Sequence, residues 1–161
     1  MRKLRLYLDT SVISDIDAAE DSQRGAITRE FFRIVTKETE GYELYISPIT
    51  LEEIHEASEE KRPLLIAFLE NLPHIEIPKN EAAENLAWIY VLENVLSENH
   101  IDDLTHVAYA VSMRCDYVIS WNMKHLVNAR TISRINEVNA IENCPKIFIA
   151  TPIIVTGENR S

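Results

Sequence analysis

The sequence predicts an α/β fold of three layers, in which a central, mostly parallel sheet is flanked by helices. Short apolar runs that are typical of buried strands alternate with longer segments whose apolar residues recur at helical spacing. The chain of 161 residues is long enough for one domain with a sizeable core. We expect this domain to span residues 1–152 and a polar C-terminal tail to occupy residues 153–161.

Strands are expected where short apolar runs end in polar residues. The run over residues 4–8 stays apolar up to Asp9, so Asp9, Thr10 and Ser11 should follow the carboxyl end of a first strand. The other predicted strands cover residues 42–46, 73–78, 117–120 and 146–150.

Helices are expected between these strands. Residues 25–39 place Ile27, Phe31 and Ile34 on one amphipathic stripe. Ser47 and Pro48 are typical of an N-cap and a first helical turn. The other predicted helices cover residues 12–16, 63–72, 80–96, 102–115 and 127–139. The broad apolar face of residues 80–96 would either enter the core or cover a partner.

Composition excludes several classes of protein. The net charge of −10 disfavours a broad basic surface for nucleic acid, although a metal ion can supply positive charge locally. The three glycines are too few for a glycine-rich phosphate loop. The two cysteines lack zinc-like spacing and are expected to be reduced thiols. Because no signal peptide or membrane-length apolar run is visible, we expect a cytoplasmic protein.

Acidic residues stand at three places that a parallel sheet would bring to one rim. Asp9 ends the first strand, Glu53 or Glu52 lies early in the helix after the second strand, and Asp103 or Asp102 begins a later helix. Such carboxylates repel one another unless they are protonated or hold a cation, and hard oxygen ligands suit Mg²⁺ or Mn²⁺. The predicted chemistry is phosphodiester hydrolysis, with water activated for in-line attack on a phosphate.

Each acidic residue also has a purely structural interpretation. Asp9 could cap a helix, Glu53 could belong to a solvated acidic run, and Asp102 and Asp103 could be favourable charges at a helix start. The joint arrangement, rather than any one residue, favours a metal site.

Four segments in this order resemble the motifs of PIN-domain proteins. The segments are LYLDTSVI at residues 6–13, SPITLEEI at 47–54, DLTHVAYA at 103–110 and VISWNMKHL at 118–126. The alignment selects Glu53 over Glu52 and Asp103 over Asp102.

The resemblance implies a metal-dependent endoribonuclease that hydrolyses single-stranded RNA. Many members of the family are VapC-type toxins held inactive by a small antitoxin, so the resemblance also implies an antitoxin partner. Asp9, Glu53 and Asp103 would bind Mg²⁺ or Mn²⁺, and Asn122 would complete the metal shell through its carbonyl oxygen. Many members have Asp at the position of Asn122, so a second metal ion should bind less well here.

Three further residues are expected to orient these ligands or the attacking water, namely Ser11, His106 and Ser120. The resemblance to the family implies a homodimer, and the apolar face of residues 80–96 also favours one. One alternative is a catalytically weak or inactive PIN-like module that binds a protein or RNA. Another is a dehalogenase-like phosphatase, which is disfavoured because Ser11 stands where its second aspartate is needed.

Overall fold

The computed structural model describes residues 2–157 and contains a parallel sheet in the order β3-β2-β1-β4-β5. Every pair of neighbouring strands is parallel. The strands are β1 (Leu4–Leu8), β2 (Tyr42–Ile46), β3 (Ile75–Glu76), β4 (Tyr117–Ile119) and β5 (Phe148–Ala150). The order changes direction at β1, so the carboxyl end of β1 lies at the point where open α/β sheets usually bind ligands.

Helices connect the strands and cover the sheet. They are α1 (Thr10–Ser14), α2 (Gln23–Lys37), α3 (Pro48–His55), α4 (Lys61–Asn71), α5 (Glu81–Leu92), α6 (Ile101–Ser112), α7 (Ala129–Ile141) and α8 (Ile153–Thr156). Short 3₁₀ turns follow α1 and precede α6.

The core is divided between the two faces of the sheet. Because side chains alternate along a strand, Leu6 and Leu8 of β1 point into one hydrophobic cluster and Tyr7 into the other. Helices α2 and α4 cover the first face, and α5, α6 and α7 cover the second. The predicted three-layer α/β architecture is confirmed.

Proline and residues with positive φ explain where elements are shorter than predicted. The strand expected over residues 73–78 is reduced to Ile75–Glu76 because the flanking prolines cannot donate ladder hydrogen bonds. The helix expected over residues 80–96 ends at Leu92, and Asn94 then adopts a φ of 61°. Arg114, with a φ of 54°, follows the end of α6 in the same way.

The apolar face of α5 packs inside the chain against α6. Its inward residues are buried, and they belong to the cluster that α6 and α7 complete. These residues are Ala83, Leu86, Ala87 and Tyr90. This face therefore fills the core and no longer supports a homodimer, although Trp88 and Leu92 of α5 remain exposed.

The end of the described chain differs from the expected polar tail. Residues 153–156 form α8, which packs against α2, and Ile153 and Val155 contact the hydrophobic cluster on that face. The predicted boundary at residue 152 therefore precedes a segment that packs on the domain. The part of the predicted tail at residues 158–161 lies outside the described residues.

Within residues 2–157, no helix has both the length and the apolar character needed to cross a membrane.

Candidate active site

The carboxylate of Asp9 is held at the carboxyl end of β1 by two serine hydroxyls. Ser11 Oγ and Ser120 Oγ donate to Asp9 Oδ2 over 2.6 Å and 2.8 Å. Ser120 follows β4, the strand that pairs with β1, so the parallel register brings its hydroxyl to Asp9. Only 5% of Asp9 is exposed, which makes these hydrogen bonds necessary for a buried charge.

Glu53 reaches the same rim from α3. Its Oε1 accepts hydrogen bonds from Thr10 Oγ1 over 2.6 Å and from His106 Nε2 over 2.5 Å. The other oxygen, Oε2, has no hydrogen-bond partner among residues 2–157. Glu52, the neighbour that the sequence leaves as an alternative, does not reach this rim and lies exposed beside a neighbouring groove.

His106 is buried between two of the carboxylates. Its side chain is 1% exposed, and Nε2 lies 3.4 Å from Asp9 Oδ1 as well as in contact with Glu53. On the other side of the ring, Nδ1 lies 2.6 Å from the hydroxyl of Tyr7. The imidazole thus connects the carboxylate rim to a polar group in the core.

Asp103 and Asn122 meet at the third side of the site. Asn122 Nδ2 donates to Asp103 Oδ2 over 3.2 Å, and Asn122 Oδ1 accepts from the backbone N–H of His125 over 3.1 Å. The amide oxygen that was expected to face a metal is therefore turned into the loop after β4. In this arrangement Asn122 supports Asp103 as a hydrogen-bond donor.

The charges of these groups shift one another's pKa. Burial raises the pKa of Asp103, and repulsion by Asp9 and Glu53 raises it further against the attraction of two histidines. Burial would also raise the pKa of Glu53, but hydrogen bonds from His106 and Thr10 hold that pKa below its ordinary value. Burial opposes charge on His106, yet the Tyr7 hydroxyl, Asp9 and Glu53 together hold its pKa well above the ordinary value.

The donor set fits a hard divalent cation that keeps part of its water shell. Among residues 2–157, no three His, Cys, Asp or Glu side chains form a ready-made metal cage. However, Glu53 Oε2 accepts no hydrogen bond within the described part of the chain, and burial together with the charges of Asp9 and Glu53 disfavours the ionised form of Asp103. Mg²⁺ is commonly held by one or two carboxylates together with several waters, so these carboxylate oxygens match its preference.

The flanks of the site carry aromatic groups. The ring centroids of His100 and His125 lie 4.0 Å apart. His100 Nδ1 lies 3.7 Å from Asp103 Oδ2, so this pair of rings stands beside Asp103. Trp121 is buried and donates from Nε1 to Thr28, as expected for a packing residue. Trp88 is 44% exposed and lines a groove of about 230 Å³.

Every residue that the sequence selects for the site lies at this rim. Asp9, Glu53, Asp103 and Asn122 converge there. Ser11, His106 and Ser120 each hydrogen-bond to one of the acidic residues.

The sequence does not predict a role in the site for Tyr7 or Thr10. The signal for Tyr7 was available in part, because a tyrosine in a buried strand needs a partner for its hydroxyl. The identity of that partner required the tertiary structure.

Comparison with known proteins supports the fold. No protein-family model and no curated protein sequence matches the chain. Among solved structures, VapBC2 from Rickettsia felis, bound to a DNA fragment from their promoter, matches with a TM-score of 0.60 and 12% identity, over 91% of this chain and 97% of that chain.

VapC20 from Mycobacterium tuberculosis, a sarcin-ricin loop cleaving toxin, matches with a TM-score of 0.57 and 12% identity, over 74% of this chain and 92% of that chain. One neighbour is thus a VapBC2 structure and the other is the toxin VapC20. Identity at this level shows the fold alone. The chain therefore has the PIN-like fold that its four motifs predict.

Proposed function

We propose that this protein is a metal-dependent endoribonuclease that hydrolyses single-stranded RNA, and that it is the toxin of a toxin–antitoxin pair. The observation that carries this proposal is the convergence at one rim of Asp9, which follows β1, with Glu53 of α3 and Asp103 of α6. Burial and the neighbouring negative charges raise the pKa of Asp103, so the site gains stability from a cation.

Asp9, Glu53 and Asp103 would hold Mg²⁺ or Mn²⁺, and Asn122 would support them. When bound, the cation supplies positive charge that stabilises phosphate oxygens and favours the ionisation of water. Ser11 and Ser120 orient Asp9, Thr10 and His106 orient Glu53, and the amide of Asn122 orients Asp103. The ligands are thereby held before the substrate arrives.

Side chains beside the rim that can donate hydrogen bonds would contact the phosphate backbone. Lys124 and His125 follow Asn122 in the loop after β4, and His100 stacks on His125. Because the chain has a net charge of −10, these few groups and the cation must supply the attraction for RNA.

The fold neighbours support a toxin with a protein partner. One is a sarcin-ricin loop cleaving toxin, and the other is a VapBC2 structure. By this likeness we propose that the present chain binds an antitoxin. We also propose that it forms a homodimer and that it is located in the cytoplasm. The proposed homodimer is supported only by what the resemblance to the family implies.

The test compares neighbouring aspartates of α6. Asp103→Asn should lower Mn²⁺-dependent cleavage of single-stranded RNA by more than about 100-fold, since loss of a group that merely supports a metal ligand already costs about 10–100-fold. Asp102→Asn is the matched control, because Asp102 is exposed on the same turn, and it should cut at the wild-type rate.

Asp9→Asn should likewise abolish cleavage while the protein keeps its circular dichroism spectrum. If purified Asp9→Asn protein cuts RNA at the wild-type rate, the proposed mechanism is wrong.

A second candidate is a catalytically inactive PIN-like module that binds a protein or RNA. It is favoured by Asn122, which removes a negative charge and turns its amide toward Asp103. Absence of both Mn²⁺ binding and cleavage, with retained binding of a partner, would support this candidate over the nuclease.

A further inference from the structure

A buried chain of hydrogen bonds links the core of the domain to Glu53. It runs from Ser47 and Thr50 through the Tyr7 hydroxyl and the His106 ring to the carboxylate. Only its last member is exposed to a substantial degree, with 28% of the Glu53 side chain accessible. We call this chain of side chains the Tyr7 relay.

The hydroxyl of Tyr7 is fixed by three partners. It lies 2.6 Å from Ser47 Oγ, 3.2 Å from Thr50 Oγ1 and 2.6 Å from His106 Nδ1. Tyr7 itself is fully buried in the centre of the sheet, so its ring cannot turn to relieve a lost contact.

The ring of His106 is fixed in turn by a partner at each nitrogen. A carboxylate is only an acceptor, so Nε2 must carry the proton that it shares with Glu53. Nδ1 faces the Tyr7 hydroxyl, which can donate to it or accept from it. The relay is therefore satisfied along its whole length, and Nε2 points at Glu53 and Asp9.

The relay joins the three elements that carry the acidic residues. Tyr7 lies on β1 two residues before Asp9, Ser47 and Thr50 lie at the start of the helix that carries Glu53, and His106 is one turn after Asp103 on α6. The hydrogen bonds that hold these elements together thereby also set the spacing of the carboxylates.

We propose that Tyr7 is a positioning residue of the metal site: acting through His106, it holds Glu53 so that Oε2 is presented to the cation. This inference rests on the proposed function. It distinguishes Tyr7 from Tyr90, another fully buried tyrosine, whose hydroxyl hydrogen-bonds to Asn139 away from the acidic rim.

The experiment compares the two tyrosines by Mn²⁺ titration, with free Mn²⁺ measured by electron paramagnetic resonance. Tyr7→Phe should raise the Kd for Mn²⁺ by about 10–100-fold, the range for loss of a residue that orients a metal ligand. Tyr90→Phe removes a hydroxyl of the same kind and burial, and should leave the Kd within about twofold of wild type. Both variants should lower the melting temperature, because each leaves a buried polar group without its partner.

A double-mutant cycle tests whether Tyr7 acts through Glu53. In a Glu53→Gln background, Tyr7→Phe should have little further effect on the Kd, because the group that it positions has lost its charge. If Tyr7→Phe does not fold, Ser47→Ala replaces it, since it removes one anchor of the Tyr7 hydroxyl. Ser47→Ala should raise the Kd by a smaller factor.

The outcomes separate this inference from the proposed function. Wild-type protein that binds no Mn²⁺ would overturn both. Wild-type protein that binds Mn²⁺, with the same Kd in Tyr7→Phe and Tyr90→Phe, would overturn the positioning role alone. If Tyr7→Phe raises the Kd by the same factor in the wild-type and Glu53→Gln backgrounds, Tyr7 does not act through Glu53, and the proposed positioning role is overturned.

Discussion

Replacement of Ser120 by alanine should destabilise the domain because its hydroxyl serves two neighbours. Ser120 is fully buried, and its Oγ donates to Asp9 Oδ2 over 2.8 Å and accepts from the backbone N–H of Asn122 over 2.9 Å. The substitution removes both hydrogen bonds and leaves almost no cavity, so packing changes little.

The expected loss is about 2–4 kcal/mol in the free energy of unfolding. A hydrogen bond to a charged group contributes about 1.5–3 kcal/mol, and an unsatisfied backbone N–H adds about 1 kcal/mol. Asp9 retains the hydrogen bond from Ser11, and Asn122 is partly exposed, so the total stays below the cost of an isolated buried charge. For a domain of this size each kcal/mol lowers the melting temperature by about 2–4 °C.

Urea and thermal unfolding of the metal-free protein measure this loss. Ser112→Ala is the matched control, because Ser112 is exposed on α6 and donates only to Tyr109 O in its own helix. It should change the free energy of unfolding by less than about 0.5 kcal/mol. If Ser120→Ala were as stable as Ser112→Ala, Ser120 would not hold Asp9 and this account of the rim would be refuted.

Two further predictions concern charge and thiol reactivity. Asp103→Asn should raise the melting temperature of the metal-free protein at neutral pH, because burial and the charges of Asp9 and Glu53 raise the pKa of Asp103 and its ionised form destabilises the fold. The gain should shrink as pH falls through the raised pKa of folded Asp103 and be lost below about 4, where Asp103 is neutral in both states; a lower melting temperature at pH 7 would contradict it. Burial raises the pKa of the Cys115 thiol to about 12. In native protein at about pH 8, a disulfide reagent should therefore modify Cys144 first and Cys115 only after unfolding. Equal rates of modification of the two thiols would be evidence against this burial.

The sequence predicts the fold well where periodicity and end signals agree. The apolar run before Asp9 and the Ser47–Pro48 helix start both appear as expected in the structure. The ends of helices and strands differ from the predicted ends where the backbone conformation, rather than the hydrophobic pattern, determines them. Asn94, with positive φ, ends α5 before its apolar pattern stops.

The site is predictable to the level of which residues meet, but not how they meet. Parallel strand ends and helix starts gather at one rim, so the convergence of Asp9, Glu53 and Asp103 follows from topology. The orientation of the Asn122 amide does not, because it depends on the backbone N–H of His125 in the loop after β4. The Tyr7 relay depends on contacts across 99 residues of sequence, which no local pattern contains.

The pairing of β1 with β4 has a consequence for how the chain folds. Leu6 pairs with Tyr117, and Asp9 meets Ser120 across 111 residues of sequence. Closing so long a segment is entropically costly and slow, so the central strand acquires its second neighbour late in folding. During synthesis on the ribosome, Asp9 emerges early but remains without the Ser120 hydroxyl until β4 has been made. The acidic rim is therefore completed only when most of the chain is present, so a truncated product that ends between α6 and β4 would carry all three acidic motifs without an assembled site.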